Sequence, residues 1–155
     1  MELKELRKER KLTQKEAAGI VGIPYRTYCR YEETQNYKKT YKYKKIYEDL
    51  FNATRIDESH GLLSLEDIKS KLMPVLIKNN ISYCYLFGSY ARGEAKETSD
   101  IDLLVDTKTT GIDFFMLVEE IRKALNKRID LIRLVDLQER NPIVLEILKE
   151  GIRII

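Results

Sequence analysis

The sequence predicts an α+β protein: an N-terminal all-α helix-turn-helix bundle over residues 1–58, then a small α/β domain with a mixed sheet over residues 62–155. Three observations carry this. Helix-type apolar spacing with cap residues runs through the first half. Three short apolar runs in the second half, YCYLF at 83–87, IDLLV at 101–105 and RIDLIRL at 128–134, read as buried strands. The charge is also uneven. Residues 1–60 hold 14 Lys/Arg against 10 Asp/Glu, residues 61–155 hold 14 against 15, and seven of the ten tyrosines fall in the first part. A basic, Tyr-rich front joined to a near-neutral back indicates two units, with polyanion contact favoured at the front.

Each element has its own signal. Residues 2–10 read as a helix with Leu3 and Leu6 as apolar points. Thr13 with Glu16 three residues later forms a capping box for a helix over about 14–21, which Gly22 ends because glycine accepts the left-handed cap conformation. Pro24 suits the first turn of a helix over 24–32, and a further helix covers 40–52. The polar stretch Asn52–Gly61 is the expected linker, with His60 a linker or capping residue. Ser64 and Asp67 open a helix over 65–79. Phe114, Leu117, Val118, Ile121 and Leu125 share one face of a helix over 113–126, and a last helix over 142–150 leads to IRII, a candidate terminal strand.

Composition excludes several classes. With 43% hydrophobic and 34% charged residues the chain is globular. No apolar run approaches the roughly 20 residues that cross a bilayer, so no membrane is expected. MELKELRKER lacks the apolar core of a secretory leader. Cys29 and Cys84 lie far apart without CxxC spacing, which argues against zinc or a disulfide scaffold and fits a reducing cytoplasm. A single histidine excludes a histidine-rich metal site.

The stretch LKELRKERKLTQKEAAGIVGIPYRTYCRYEE holds two short helices joined by a Gly-containing turn. It resembles the phage-repressor-like helix-turn-helix family over residues 3–33. The resemblance implies that the helix after the turn enters the major groove of operator DNA. By position Tyr25, Arg26, Thr27, Tyr28 and Arg30 would face DNA, and Gln14 would sit near a phosphate. Arg26 suits a guanine edge. After Glu33 the sequence departs from the family, and a Tyr/Lys segment replaces the usual closing helices. Its alternation of Tyr37, Tyr41, Tyr43 and Tyr47 with lysines has two readings, a phosphate-contacting face or a helix with packed tyrosines and solvated lysines.

The second half carries the sharper motif, YLFGSYARGEAKETSDIDLLVD at 85–106. A strand ends at Phe87, Gly88 permits close backbone approach, and Ser89 places a hydroxyl and an N–H where a helix starts, a corner suited to phosphate. After ten intervening residues Asp100 and Asp102 flank Ile101, and strand alternation puts both carboxylates on one face. Such a pair needs a cation, and oxygen ligands beside phosphate favour Mg²⁺. Asp130, inside RIDLIRL, is the candidate third carboxylate. Both strand faces there are mostly apolar, so its charge calls for a metal, a hydrogen bond, or pairing with Arg128 or Arg133. Three carboxylates, two metal ions and a Gly-Ser phosphate corner describe nucleotidyl transfer.

Gly88-Ser89, a ten-residue gap and Asp100-x-Asp102 resemble the minimal nucleotidyltransferase family of the DNA polymerase β superfamily over about residues 65–155. The resemblance implies that Gly88 and Ser89 bind nucleotide phosphates, that Asp100 and Asp102 hold Mg²⁺, and that Asp130 is the third acidic residue. It leaves Arg92 steadying the loop, reaching a phosphate, or pairing at the surface with Glu94 or Glu97. The family's minimal members are similar to the MntA antitoxins, which transfer AMP from ATP to a tyrosine of a HEPN-domain toxin, HepT. A fused helix-turn-helix then implies autoregulation of the operon, with which a homodimer is compatible. Two other readings stay open: a DNA-binding regulator with a non-catalytic nucleotide-binding domain, and a small-molecule nucleotidyltransferase of the aminoglycoside type. An antibiotic-modifying relative carries an additional region to bind its acceptor, and the lack of one in the second half counts against the latter reading.

Overall fold

The computed structural model describes residues 1–137 and 141–155. The chain divides into two compact units, Met1–Arg55 and Ile56–Ile155. Among the described residues no helix is long and apolar enough to cross a membrane.

The first unit contains α1 (Leu3–Glu9), α2 (Gln14–Ile20), α3 (Tyr25–Glu33), a 3-10 turn at Gln35–Tyr37, and α4 (Tyr41–Thr54). Thr13 caps α2, its hydroxyl accepting from the Glu16 amide while the Glu16 carboxylate accepts from the Thr13 amide, which closes the capping box. Gly22, at φ +67°, makes the left-handed turn into Pro24 and α3. Helix α4 continues to Thr54, so the first residues of the expected linker are helical.

The core of this unit collects Leu3 and Leu6, Ala17 and Ala18, Tyr28 and Tyr31, and Tyr43, Ile46 and Leu50 from its four helices. The Tyr43 hydroxyl accepts from the Leu3 amide at 2.8 Å, which satisfies an orphan donor at the start of α1. Arg7 forks onto Glu32, Nε to Oε2 at 2.8 Å and Nη2 to Oε1 at 2.6 Å, and gives Nη1 to the Leu12 carbonyl. This bidentate geometry fixes α1 against α3.

The second unit contains α5 (Leu65–Lys78), β1 (Cys84–Phe87), α6 (Gly88–Ala91), β2 (Ile101–Val105), α7 (Gly111–Leu125), β3 (Ile129–Arg133), α8 (Pro142–Glu150) and β4 (Ile152–Arg153). The four strands form one mixed sheet in the order β3-β2-β1-β4. β1 is antiparallel to β2 and β4, while β2 and β3 run parallel, joined by α7.

Strand alternation sorts the two faces. Cys84 and Leu86 of β1 and Ile101, Leu103 and Val105 of β2 point to α5 and α7 and share a core with Ile68, Leu72, Leu76, Leu117, Ile121 and Leu125. Asp102, Leu104, Tyr85 and Phe87 sit at the intervening positions and face the other side. The expected strand at IRII is confined to Ile152–Arg153, which pairs with Leu86 and Tyr85. Residues 56–60 form a tight turn in which Asp57 and His60 exchange backbone hydrogen bonds at 3.0 and 3.3 Å, and the His60 ring lies 2.9 Å from the Asp57 carboxylate.

Candidate active site

The motif around residues 87–102 builds the site from the sheet outward. β1 and β2 pair so that Phe87 lies opposite Asp102. The chain turns at Gly88, φ +68°, into the single turn of α6. A Cβ placed on Gly88 would fall 2.1 Å from Oδ2 of Asp102, so no side chain fits while the carboxylate keeps its place. Ser89 follows in the single turn of α6, and its carbonyl accepts from the Glu94 amide at 2.9 Å, folding the following loop back.

In the parallel pair β2–β3, Asp102 stands in register with Asp130. Both therefore project from the open face, with Asp100 two residues before Asp102. The expectation that Asp130 would sit in an apolar interior does not hold. β3 is an edge strand and Asp130 is exposed, so its charge is solvated rather than forced into a compensating pair. Neither Arg128 nor Arg133 pairs with it. Arg128 Nε lies 3.0 Å from Asp100 Oδ1, and Arg133 forks onto Asp136.

Asp102 is the electrostatic centre. Burial pushes its carboxyl up to about 6, and the neighbouring charges of Asp130, Asp100 and Glu146 add to the rise while Arg92 opposes it. The donors are all oxygen and the local field is negative, which fits a hard divalent cation. Among the described residues, no group of three or more His, Cys, Asp or Glu side chains is gathered as a metal cage.

Arg92 caps α6 and is committed to acids, with Nε to Glu94 at 2.8 Å and Nη1 to Glu146 at 2.6 Å, and Glu150 at 3.6 Å. Its guanidinium thus ties the motif to α8 rather than projecting alone toward the phosphate corner, and Glu97 takes no part. Beyond Leu104 the same face of the sheet opens into an apolar cleft of about 410 Å³, lined by Tyr85, Leu104, Leu137, Val144, Ile147 and Leu148.

Three residues that the sequence did not single out for the site belong to it. Glu146 reaches the charged centre from α8, which no local spacing reveals. Lys127 is fully buried, and its ammonium donates to the carbonyls of Glu97 at 2.6 Å and His60 at 3.0 Å. Arg128, by sequence a candidate partner of Asp130, pairs instead with Asp100 and donates to the Thr98 carbonyl at 3.1 Å, while its own carbonyl accepts from the Ile101 amide. The two consecutive cations clamp the loop that delivers Asp100. A charged run ahead of a strand ordinarily reads as a solvated face, so only the tertiary fold exposes this role.

In the first unit the expected DNA-facing residues separate. Tyr25, Arg26 and Arg30 are exposed on α3 and Thr27 is half-buried. Tyr28 has no exposed surface and packs in the core, so it is not available to a groove. Gln14 is half-buried, donating to Glu32 at 3.3 Å and accepting from the Cys29 thiol at 3.4 Å. The Tyr/Lys segment resolves residue by residue. Tyr43 is buried, Tyr37 packs on Tyr31 with ring centroids 5.0 Å apart, Tyr47 stacks on Phe51, and Tyr41 points out.

Comparison with known proteins places the second unit. The polymerase beta nucleotidyltransferase domain model matches residues 66–155. A Methanocaldococcus jannaschii protein with a provisional designation as a protein adenylyltransferase is 39% identical over 72 residues, 45% of this chain and 77% of that protein. The protein adenylyltransferase MntA of Thermococcus cleftensis is 37% identical over 78 residues, 46% of this chain and 79% of that protein. Among solved structures, a chain of a toxin–antitoxin crystallised with AMP-PNP is 27% identical, with 56% of this chain and 72% of that chain covered and a TM-score of 0.48. With the family model spanning more than half of its length, the chain belongs to the polymerase beta nucleotidyltransferase family.

Proposed function

We propose that the chain is a Mg²⁺-dependent protein adenylyltransferase that moves AMP from ATP to a tyrosine hydroxyl of a HEPN-domain toxin, and so acts as its antitoxin. The observation that carries this is the Asp102 carboxylate, set against the bare backbone of Gly88 and in register with Asp130. Gly88 and Ser89 cradle the triphosphate. Asp100 and Asp102, with Asp130, would hold the cation, which would supply charge neutralisation on the phosphates and activation of the attacking hydroxyl. The chain's own residues orient the rest: Lys127 and Arg128 fix the loop before β2, and Arg92 locks α6 to α8 through Glu146. The relatives designated adenylyltransferases support AMP transfer to protein. The resemblance to minimal nucleotidyltransferases supplies the toxin as acceptor.

The test is intact-mass spectrometry of the cognate HEPN-domain toxin that this reading calls for, after incubation with the chain, Mg²⁺ and ATP. A gain of one or more AMP units, lost with Asp100→Asn/Asp102→Asn, is the expected result. No gain from well-folded protein with any of the four nucleotides overturns the reading.

A second role is favoured by the exposed side chains of α3. The α2–Gly22–α3 pair reads operator DNA as a helix-turn-helix through Tyr25, Arg26, Thr27 and Arg30, and the protein represses its own operon. Binding to the promoter should weaken steeply with salt and with Arg26→Ala. Absence of salt-sensitive binding by wild type overturns this role.

A further inference from the structure

If the site transfers AMP to a tyrosine, the chain itself presents an acceptor. Tyr28, Tyr31 and Tyr43 are buried, and the hydroxyl of Tyr90 is buried as well. The rings of Tyr37 and Tyr47 lie against neighbouring rings, and that of Tyr83 lies under Arg153. Tyr25 is 51% exposed, and Tyr85 is half-buried. Tyr41 is 79% exposed, more than any other tyrosine among the described residues, and neither its ring nor its hydroxyl has a partner there.

Its surroundings complement the site. Tyr41 opens α4 in the segment KKTYKYKK, with Lys38, Lys39, Lys42, Lys44 and Lys45 within four residues. Lys38 is paired to Glu2, and the other four are exposed. The candidate site is acidic by contrast, with Asp100, Asp102 and Asp130 on one face and Glu94 and Glu146 around Arg92. A cationic segment carrying a free phenol is the substrate such a surface attracts.

We infer that Tyr41 of a second copy of this chain is an adenylylation target of the site, an inference that rests on the adenylyltransferase reading. The phenolic oxygen forms a bond to the α-phosphorus of ATP, the bond from that phosphorus to the bridging β-phosphate oxygen breaks, pyrophosphate leaves, and the phenolic proton passes to water. The product places a phosphodiester anion among the lysines, so modification lowers the positive charge that draws this unit to polyanions.

The experiment mixes a Tyr41→Phe chain as enzyme with an isotopically labelled Asp102→Asn chain as acceptor, adds Mg²⁺ and ATP, and reads the labelled chain by intact mass and peptide mapping. A parallel reaction offers the same enzyme the HEPN protein. One AMP on Tyr41 of the labelled chain, absent when the acceptor is Asp102→Asn/Tyr41→Phe, is the expected result. AMP on the HEPN protein with none on Tyr41, or AMP at another residue, overturns self-modification and leaves the adenylyltransferase reading standing. AMP on neither protein overturns that reading together with the inference.

Discussion

The Asp102 carboxylate occupies the space that a side chain at Gly88 would need: an added Cβ would stand 2.1 Å from Oδ2 and 2.9 Å from Cγ. The turn that leads to the phosphate corner and the strand that carries the central acid are therefore one construction. Gly88 also sits at φ +68°, where an L side chain is strained even in open space. Gly88→Ala is expected to displace Asp102, to destabilise the fold by about 1–3 kcal/mol, and to lower AMP transfer by about 100-fold or more. Thermal melts and single-turnover transfer, measured side by side, check both effects. A variant with wild-type transfer would mean that Asp102 moves without consequence.

Asp102 itself is held at a cost. Its folded carboxyl titrates at about 6 against 3.8 for the ordinary group. A raised carboxyl makes its favourable contribution fully below the ordinary value and loses it as pH rises through the folded value, so at neutral pH the ionised Asp102 disfavours the fold. Asp102→Asn should abolish transfer yet raise the melting temperature at pH 7.5. With screening by solvent at this half-buried site the gain is about 1 kcal/mol, or a few degrees for a domain of this size. The difference should shrink as pH falls from 6 toward 4. Melts of both proteins across that range decide it, and a variant that melts lower at pH 7.5 would refute the repulsive cluster.

The first unit responds to acid in the opposite sense. Burial alone would raise the Glu32 carboxyl, but the hydrogen bonds and charge of Arg7 outweigh it and hold Glu32 below its ordinary 4.5. A depressed carboxyl stabilises above the ordinary value, and that stability is lost as pH falls below it. This unit should therefore loosen on acidification below about pH 4.5, followed by tyrosine emission, since seven of the ten tyrosines lie in it. Glu32→Ala leaves Arg7 without its partner in a setting where its side chain is only 12% exposed, and should cost about 3 kcal/mol at pH 7. A melt unchanged by that substitution would show the pair to be without net value.

What the sequence made legible was local. Thr13–Glu16, Gly22 and Ser64–Asp67 are cap and turn chemistry, which acts within a few residues, and the helices start and stop close to where these signals put them. The alternation in IDLLV set Asp100 and Asp102 on one face, and the structure makes the face that carries Asp102 the one opposite the core. Burial of individual polar and aromatic residues was not legible, because it depends on what packs from far along the chain. Tyr28 looked like a groove-facing residue and is core. Asp130 looked buried and is exposed, since an apolar run does not tell an edge strand from a central one. Glu146 and Lys127 reach the site from 44 and 25 residues beyond Asp102, and neither sits in a recognisable motif.

Lys127 offers the sharpest test of that last class. Its ammonium is buried, and burial lowers its pKa, yet it donates to the Glu97 and His60 carbonyls, holding the loop before Asp100 against the turn at 56–60. Lys127→Met keeps the length and the packing but takes the donor from the Glu97 carbonyl, while the His60 carbonyl keeps the Asp57 amide. A buried acceptor left unpaired costs about 1–3 kcal/mol, and the loop can relieve much of this by moving outward into water. Amide exchange at residues 96–99 should therefore accelerate by an order of magnitude or more while exchange in the α5–α7 core changes little. Transfer should fall by about 10-fold through misplacement of Asp100, with Lys127→Arg recovering part of it. Exchange that rises uniformly through the unit would mean instead that Lys127 serves global stability and does not position the loop.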